Sequence, residues 1–198
     1  ILKIIKMKVK IFNKSIGEFD DIIVSSDLHL NHEMLLKYRP FKSVEEMNES
    51  IINRINVMCG QQDLLLILGD TMMGDKDYQG FFDRLICKNI IILHGNHTNR
   101  NRLNECETLF TGDYVELLID KKFVVCSHYP IIQWNGREKG SYHLFGHLHG
   151  DTPGIVKELV KERCMDVGLD TNLLFPYTWD EIDRKLSKKE IGKIERHG

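Results

Sequence analysis

Side chains that bind metal ions recur in this sequence at the ends of short apolar runs. The groups are Asp27-Leu28-His29, Gly69-Asp70, Gly95-Asn96-His97, Ser127-His128 and Gly146-His147-Leu148-His149. In open α/β sheets, ligands gather outside the carboxyl ends of the strands, so we expect the five groups to meet in one crevice. A lone histidine after a strand is more often a loop or core residue. With His94, however, six of the nine histidines lie near these run ends, and packing alone does not explain that clustering.

The donor types indicate which ions the crevice would bind. The donors are the carboxylates of Asp27 and Asp70, the amide of Asn96 and the imidazoles of His29, His128, His147 and His149. This set suits Mn, Fe, Zn, Co or Ni rather than Ca or a simple Mg site. Two divalent ions facing two carboxylates leave the site positively charged, which favours an anionic substrate such as a phosphate ester. Ions about 3.5–4 Å apart can clamp a phosphate and lower the pKa of a bridging water.

The elements that would position these groups are short strands alternating with helices. The apolar runs are Ile22-Ile23-Val24, Leu64 to Leu68, Ile90 to Leu93, Phe123 to Cys126 and Leu144-Phe145. Because most are continuous rather than alternating, they are typical of strands buried on both faces. Helices are predicted from a capping box at Ser43 and Glu46 to about Met58, over Tyr78 to Ile86, after Asn99, and from Trp179 onwards. Val115 to Ile119 and Phe123 to Cys126 predict a hairpin, and the whole pattern indicates an α/β architecture.

Composition bounds the class of protein. The 198 residues predict a single domain, with residues 1–6 as an extension because Met7 opens the first strand pattern. The net charge of -2 offers no basic surface for stable nucleic-acid binding. No apolar run approaches the ~20 residues that cross a bilayer, so no membrane partner is expected. Five widely spaced cysteines, without a C-x-x-C pair, favour reduced thiols and a cytoplasmic location.

The five groups, in their order, resemble the signature blocks of the calcineurin-like metallophosphoesterases. The resemblance implies a four-layer α/β/β/α sandwich with a dinuclear site. By position, Asp27, His29 and His149 would hold one metal, Asn96, His128 and His147 the other, and Asp70 would bridge them. His97 would stand near the leaving-group oxygen. Stretches such as Ser127-His128-Tyr129-Pro130 resemble small stand-alone bacterial, archaeal and phage members.

One position departs from the family pattern. The residue after the histidine of the third block is usually acidic, and here it is Thr98. A carboxylate could orient the imidazole of His97 and favour its protonated form, whereas a hydroxyl could only orient it. The departure concerns the proton-donating role of His97 and leaves the metal ligands unaffected.

Four further residues are candidates for substrate binding. Arg39 and Arg137 could act as phosphate forks, Trp134 as a stacking face for a base or aryl group, and His32 as a pocket residue. The alternatives are a surface or loop-bracing charge for each arginine and a packed loop anchor for Trp134. Asp170 could support a ligand loop, although turn chemistry explains it as well.

The expected activity is hydrolysis of phosphodiesters by a hydroxide that two divalent transition-metal ions activate. The substrate would be a small phosphate ester such as a nucleotide. A phosphomonoesterase of the same mechanism is the enzymatic alternative. The competing class is a non-catalytic metal-binding scaffold, which should have lost some of these residues. The sequence indicates neither the native metal nor the oligomeric state.

Overall fold

The computed structural model describes residues 6–74 and 77–192 of the chain. The predicted extension therefore lies almost wholly outside the described residues, which include only Lys6 of it. From Met7 onwards the alternating pattern forms the expected strand. In the described residues, the first element is this strand and the last is a helix that ends at Leu186.

In the described part of the chain, eleven strands form two sheets. The strands are β1 (Met7–Ile11), β2 (Lys14–Phe19), β3 (Ile22–Ser25), β4 (Leu64–Ile67), β5 (Ile90–Leu93), β6 (Phe110–Gly112), β7 (Tyr114–Ile119), β8 (Lys122–Ser127), β9 (Tyr142–Phe145), β10 (Cys164–Asp166) and β11 (Tyr177–Thr178). The strand order is β10-β9-β8-β7-β1-β2 in one sheet and β11-β3-β4-β5-β6 in the other. The predicted hairpin is confirmed, because β7 and β8 pair antiparallel across the turn at Asp120.

The structure has α-helices at all four predicted positions, including the C-terminal one. The α-helices of the described residues are α1 (Val44–Met58), α2 (Tyr78–Asp83), α3 (Arg100–Asn104), α4 (Gly154–Leu159) and α5 (Trp179–Leu186). Helix α2 ends earlier than the expected Ile86, and α4 was not predicted. None of these helices, in residues 6–74 and 77–192, has the length and apolar content that a membrane span requires.

Alternation along the central strands assigns their side chains to layers, because successive residues of a strand point to opposite faces. Ile22 of β3 packs in the core between the two sheets. Its neighbour Ile23 packs with Ile51 of α1 on the outer face of the five-stranded sheet. On the outer face of the six-stranded sheet, Val125 of β8 packs with Leu159 of α4. The layers therefore run helix, sheet, sheet, helix, and the predicted α/β/β/α sandwich is confirmed.

The capping box predicted at the start of α1 is only half formed. The Oγ atom of Ser43 accepts a hydrogen bond from the backbone N–H of Glu46, at 3.2 Å. The carboxylate of Glu46 accepts from the N–H of Lys42, at 2.8 Å, rather than from Ser43. A complete capping box stands at α5, between Thr178 and Glu181. The helix boundary was thus right at Ser43, and one of the two expected contacts was wrong.

Candidate metal centre

The loops that leave the carboxyl ends of β3, β4, β5, β8 and β9 carry the predicted metal ligands. Strands β3, β4 and β5 run parallel, as do β8 and β9, so the loops within each sheet leave the same edge. Five ligands have left-handed backbone: Asp27 (φ 57°), His29 (51°), Asp70 (47°), His147 (72°) and His149 (51°). This conformation costs a non-glycine residue roughly 1–2 kcal/mol. Such residues cluster at functional sites, where the surrounding structure holds them.

One group of donors joins Asp27, His29 and His149. Their ligand atoms all lie within 4.8 Å of one another. The Nε2 atoms of His29 and His149 are each 3.8 Å from Oδ1 of Asp27. The two imidazoles face each other, with ring centroids 5.0 Å apart. These are the three residues predicted to hold the first metal.

A second group joins Asp27, Asp70 and His128, with ligand atoms again within 4.8 Å. Oδ2 of Asp70 is 3.4 Å from Nε2 of His128 and 3.7 Å from Nε2 of His29, so it stands between the two groups. Oδ1 of Asn96 is 3.0 Å from the same Nε2 of His128. The ring of His147 lies 5.1 Å from that of His128, measured between centroids. The seven predicted ligands therefore lie close together, with a carboxylate oxygen of Asp70 between His29 and His128.

The two carboxylates are held so that one oxygen of each faces the cluster. Oδ2 of Asp27 accepts a hydrogen bond from the N–H of His147, and Oδ1 of Asp70 accepts one from the N–H of His97, both at 2.8 Å. Within the described part of the chain, Oδ1 of Asp27 and Nε2 of His29 are buried without a hydrogen-bond partner. Buried polar atoms nearly always have a hydrogen-bond partner. Two buried atoms without one, both able to coordinate a metal and both in one cluster, therefore fit a bound cation. The residues present thus fit the dinuclear metal site that the resemblance implied.

The electrostatics of the cluster agree with cation binding. Burial raises the pKa of Asp27 to about 6, although nearby histidines oppose the shift. Burial also lowers the pKa of His29 to about 3, which keeps its imidazole neutral. A metal ligand must be a neutral imidazole or a deprotonated carboxylate. A divalent ion would compensate the buried charge of Asp27 and use the neutral imidazole of His29 as it stands.

Contacts outside the cluster aim the imidazoles. Nδ1 of His128 donates to the carbonyl of Leu68 at 2.9 Å, and Nδ1 of His149 contacts Oδ2 of Asp170 at 2.6 Å. In each case Nε2 is left to face the carboxylates, as is usual for histidine ligands of metals. The hydrogen bond with Asp170 raises the pKa of His149. Burial works against the carboxylate of Asp170, but its bonds to His149 and Arg39 lower its pKa well below the ordinary range.

Two glycines allow the loops to approach this closely. A Cβ atom on Gly95 would overlap the carboxylate of Asp70. A Cβ atom on Gly146 would overlap Oγ of Ser26 and Oδ2 of Asp27. Oδ2 of Asp27 is also the oxygen that accepts the hydrogen bond from the N–H of His147. Any side chain at position 146 would therefore displace the carboxylate and break this hydrogen bond.

His97 and His32 lie beside the cluster. The ring of His97 is exposed and stands 5.4 Å from that of His29 and 5.8 Å from that of His32. Nδ1 of His32 lies 3.2 Å from Nδ1 of His29. Both candidate residues therefore reach the site. The hydroxyl of Thr98 accepts from the N–H of Gly95 at 2.8 Å, so it closes the loop turn.

The substrate-binding role of Arg39 is corrected. Its side chain is buried, and each guanidinium nitrogen already donates to a protein oxygen. Nε and Nη2 bond the carboxylate of Asp170, Nη2 also bonds the carbonyl of Asp27, and Nη1 bonds the carbonyl of Leu28. Arg39 therefore braces the left-handed loop that carries Asp27 and His29, which was the alternative interpretation.

Trp134 and Arg137 are not brought to the cluster. Trp134 is 3% exposed and packs on the outer face of the six-stranded sheet, where its indole N–H donates to Ser141. A ring buried in this way offers no stacking face to a substrate. The guanidinium of Arg137 is engaged by the carboxylate of Glu162, with Nε at 2.6 Å from Oε2. Both proposed substrate contacts were wrong, because loop packing and an ion pair occupy these side chains.

The sequence interpretation undervalued two residues. Asp170 was left open between turn and support, and it links Arg39 to His149. Tyr129 was noticed only as part of a family-like stretch. Its half-exposed ring lies 4.6 Å from that of His147 and 5.0 Å from that of His128. Its place directly after a predicted ligand was the available signal.

The chain belongs to the calcineurin-like phosphoesterase family, whose model matches residues 21–189. Among curated proteins it is similar to the uncharacterized protein MJ1445 of Methanocaldococcus jannaschii, at 35% identity over 80 residues, which are 38% of this chain and 46% of that protein. The chain thus spans about half the length of this curated relative.

A solved structure has the same fold as this chain. AQ665 of Aquifex aeolicus, a protein of unknown function, matches with a TM-score of 0.66 and 20% identity over 83% of this chain and 98% of that one. YfcE, a phosphoesterase from E. coli, matches with a TM-score of 0.42 and 14% identity over 75% of this chain and 78% of that one. The likeness to AQ665 covers nearly all of that protein and supports the α/β/β/α architecture.

Proposed function

We propose that this chain hydrolyses phosphodiester bonds with two divalent transition-metal ions. The observation that carries the proposal is the pair of possible metal-binding groups that share Asp27, together with the buried, unpaired atoms Asp27 Oδ1 and His29 Nε2. Membership of a phosphoesterase family supports the same chemistry. The substrate class we propose is a small organic phosphate ester, and a nucleotide belongs to that class.

Each ion would have its own ligands. Asp27, His29 and His149 would hold one ion, Asn96, His128 and His147 the other, and Asp70 would bind both. The position of Oδ2 of Asp70 between His29 and His128 supports its bridging role. When bound, the ions would act as Lewis acids toward the phosphoryl oxygens and lower the pKa of a water molecule. Mn, Fe, Zn, Co and Ni all suit this donor set.

His97 would give a proton to the leaving-group oxygen. Its exposed ring stands beside His29, and its own N–H holds Oδ1 of Asp70. The loop that positions the imidazole is therefore tied to the bridging carboxylate. A proton supplied to a departing alkoxide contributes of order 10²–10⁴ to the rate. His32, 5.8 Å from the ring of His97, would orient the ester beside it.

The two alternatives differ from this proposal in clear ways. A phosphomonoesterase would use the same ligands but would need no room for a second ester group. We favour the diester because the site has space on more than one side: the His97 face and a cleft bordered by His149. A non-catalytic scaffold is disfavoured because the seven ligand positions and His97 are all of functional type.

Metal stoichiometry and diester hydrolysis test the proposal together. Full-length protein is incubated with excess Mn²⁺ or Zn²⁺, desalted and assayed by elemental analysis, then with bis(4-nitrophenyl) phosphate and 4-nitrophenyl phosphate. We expect two ions per chain and a higher kcat/KM for the diester. Asp70→Asn should bind fewer ions, because a neutral amide bridges two cations poorly. One ion or none in the wild-type protein would refute the dinuclear site, and faster cleavage of the monoester would select the alternative enzyme.

A further inference from the structure

A cleft opens directly beside the metal cluster. It has a volume of about 650 Å³ and is bordered at one end by His149 and Asp170. Its other walls are formed by Leu35 with Tyr38-Arg39-Pro40, by Leu173-Leu174, and by Arg54 of α1. Volumes of this size accommodate an organic ligand rather than a lone phosphate. Because His149 belongs to the first metal group, an ester bound at the metals would have the cleft next to it.

The polar groups along the cleft are largely engaged by the protein itself. Every nitrogen of Arg39 donates to a protein oxygen, and Asp170 accepts from Arg39 and contacts His149. Arg54 donates from Nη1 to the carbonyl of Leu173 at 2.6 Å, and its guanidinium stands 4.5 Å from the ring centroid of Phe175. A charged or strongly hydrogen-bonding occupant would therefore find few free partners in these walls.

The apolar groups along the cleft are instead left open. Tyr38 is 82% exposed and Leu173 is 87% exposed, although both are large hydrophobic side chains. Leu173 and Leu174 both have left-handed backbone, with φ of 52° and 64°. The bond from Arg54 holds the carbonyl of this strained turn. The left-handed backbone is energetically unfavourable for leucine, yet it holds the side chain of Leu173 exposed to solvent at the mouth of the cleft.

We infer that this cleft binds an uncharged aromatic or apolar ester group, the one that stays on phosphorus when the substrate is hydrolysed. The inference rests on the proposed diester hydrolysis and specifies its substrate class. The oxygen of a water molecule forms a bond to phosphorus, and the water releases one proton to solvent. The P–O bond to the other ester group breaks, and the oxygen of that leaving group takes a proton from His97, which regains one from solvent. The group in the cleft leaves on the product as a phosphate monoester.

Two diesters with the same leaving group isolate the cleft. Bis(4-nitrophenyl) phosphate would place an aryl group there, and methyl 4-nitrophenyl phosphate only a methyl group. The test variant is Leu173→Asn, since asparagine tolerates left-handed backbone. The control is Val57→Asn, because Val57 is 82% exposed on α1 and does not line the cleft. Tyr38→Ser serves as a second test variant if Leu173→Asn does not fold.

We expect Leu173→Asn to lower kcat/KM for the bis-aryl ester about tenfold, the scale of lost apolar contact, and for the methyl ester less than twofold. The control variant should change neither. An equal loss on both esters, or no loss on either, would overturn the inference while leaving diester hydrolysis intact.

A binding measurement without metal separates the two proposals. Metal-free full-length protein is titrated with N-phenyl-1-naphthylamine, an uncharged aryl probe, and its fluorescence is followed. Wild type and Val57→Asn should bind the aryl probe with the same affinity, and Leu173→Asn at least fivefold more weakly. If the wild type cleaves neither diester, the proposed function fails, and the probe alone decides whether the cleft binds aryl groups. Equal probe affinity in Leu173→Asn and wild type would overturn the cleft assignment.

Discussion

Replacing Arg39 by methionine should lower the free energy of unfolding and weaken metal binding at the candidate site. The guanidinium is buried and donates to the carboxylate of Asp170 and to the carbonyls of Asp27 and Leu28. Methionine fills much of the same volume but donates nothing. The substitution therefore leaves the carbonyls of Asp27 and Leu28 without this donor. It also leaves the carboxylate of Asp170, 20% exposed, with His149 in place of its full ion pair.

The expected magnitude follows from that inventory. Removing one partner of a buried ion pair costs about 3–5 kcal/mol, because the other charge loses its compensation. The remaining contact of Asp170 with His149 places the expected loss at the lower end of that range. For a chain of this length each kcal/mol lowers Tm by about 2–4 °C, so the fall in Tm should lie toward the lower end of about 6–20 °C. The freed loop carries Asp27 and His29, and Asp170 also contacts His149. Metal affinity should therefore fall by about 10–100-fold, as it does when supporting contacts are lost.

A matched control is provided by Arg84 on the surface. It pairs with Glu49 at 2.6 Å, and the two side chains are 46% and 56% exposed. Arg84→Met removes the same chemical group in water, where an ion pair contributes about 0–1 kcal/mol. The free energy of unfolding is measured by urea denaturation of metal-free protein, and metal affinity by calorimetric titration with Mn²⁺.

The reasoning would be refuted if Arg39→Met and Arg84→Met lost similar stability. It would also fail if Arg39→Met were destabilised as expected but bound metal with unchanged affinity. That second result would separate the buried ion pair from the positioning of the ligand loop. Arg39→Lys is expected to recover only part of the loss, because an ammonium group cannot donate along all of these directions at once.

Three further predictions concern the chemistry, the packing and the titration of the site region. His97→Ala should retain metal and fold, lose about 10²–10⁴ in kcat/KM with alkyl leaving groups, and lose much less with nitrophenolate, which departs without a proton. An equal loss on both would remove the proton-donor role. Gly146→Ala should weaken Mn²⁺ binding at least tenfold in calorimetric titrations, because its Cβ would overlap Ser26 and Asp27; unchanged affinity would contradict this. Burial lowers the pKa of His143 to about 4, against about 6.5 when unfolded, so the unfolded chain binds more protons in that window. The free energy of unfolding should therefore rise by about 3 kcal/mol between pH 4 and 6.5 from this residue, and urea denaturation of His143→Gln should show a correspondingly flatter slope.

Much of the candidate metal site could be predicted from the sequence. Each ligand lies within a few residues of the end of an apolar run. The chain direction of a parallel strand determines at which edge its loop lies. Asp27 and Asp70 therefore had to approach each other once β3 and β4 paired as parallel neighbours. His128 follows β8 of the other sheet, so only the packing of the two sheets brings it to them. The capping residue of α1 and the hairpin of β7 and β8 were equally local. Their signals lie within a few residues of the structure they specify.

Tertiary structure alone decided which polar side chains face a substrate. Arg39 and Asp170 are 131 residues apart, and nothing near either residue indicates their bond. Trp134 looked available for stacking, but its burial depends on how its loop packs on the outer face of β8 and β9. The cleft beside His149 likewise needs two segments far apart in the chain. A side chain's direction and partners depend on all the elements packed around it, whereas the edge at which its loop emerges depends only on its own strand.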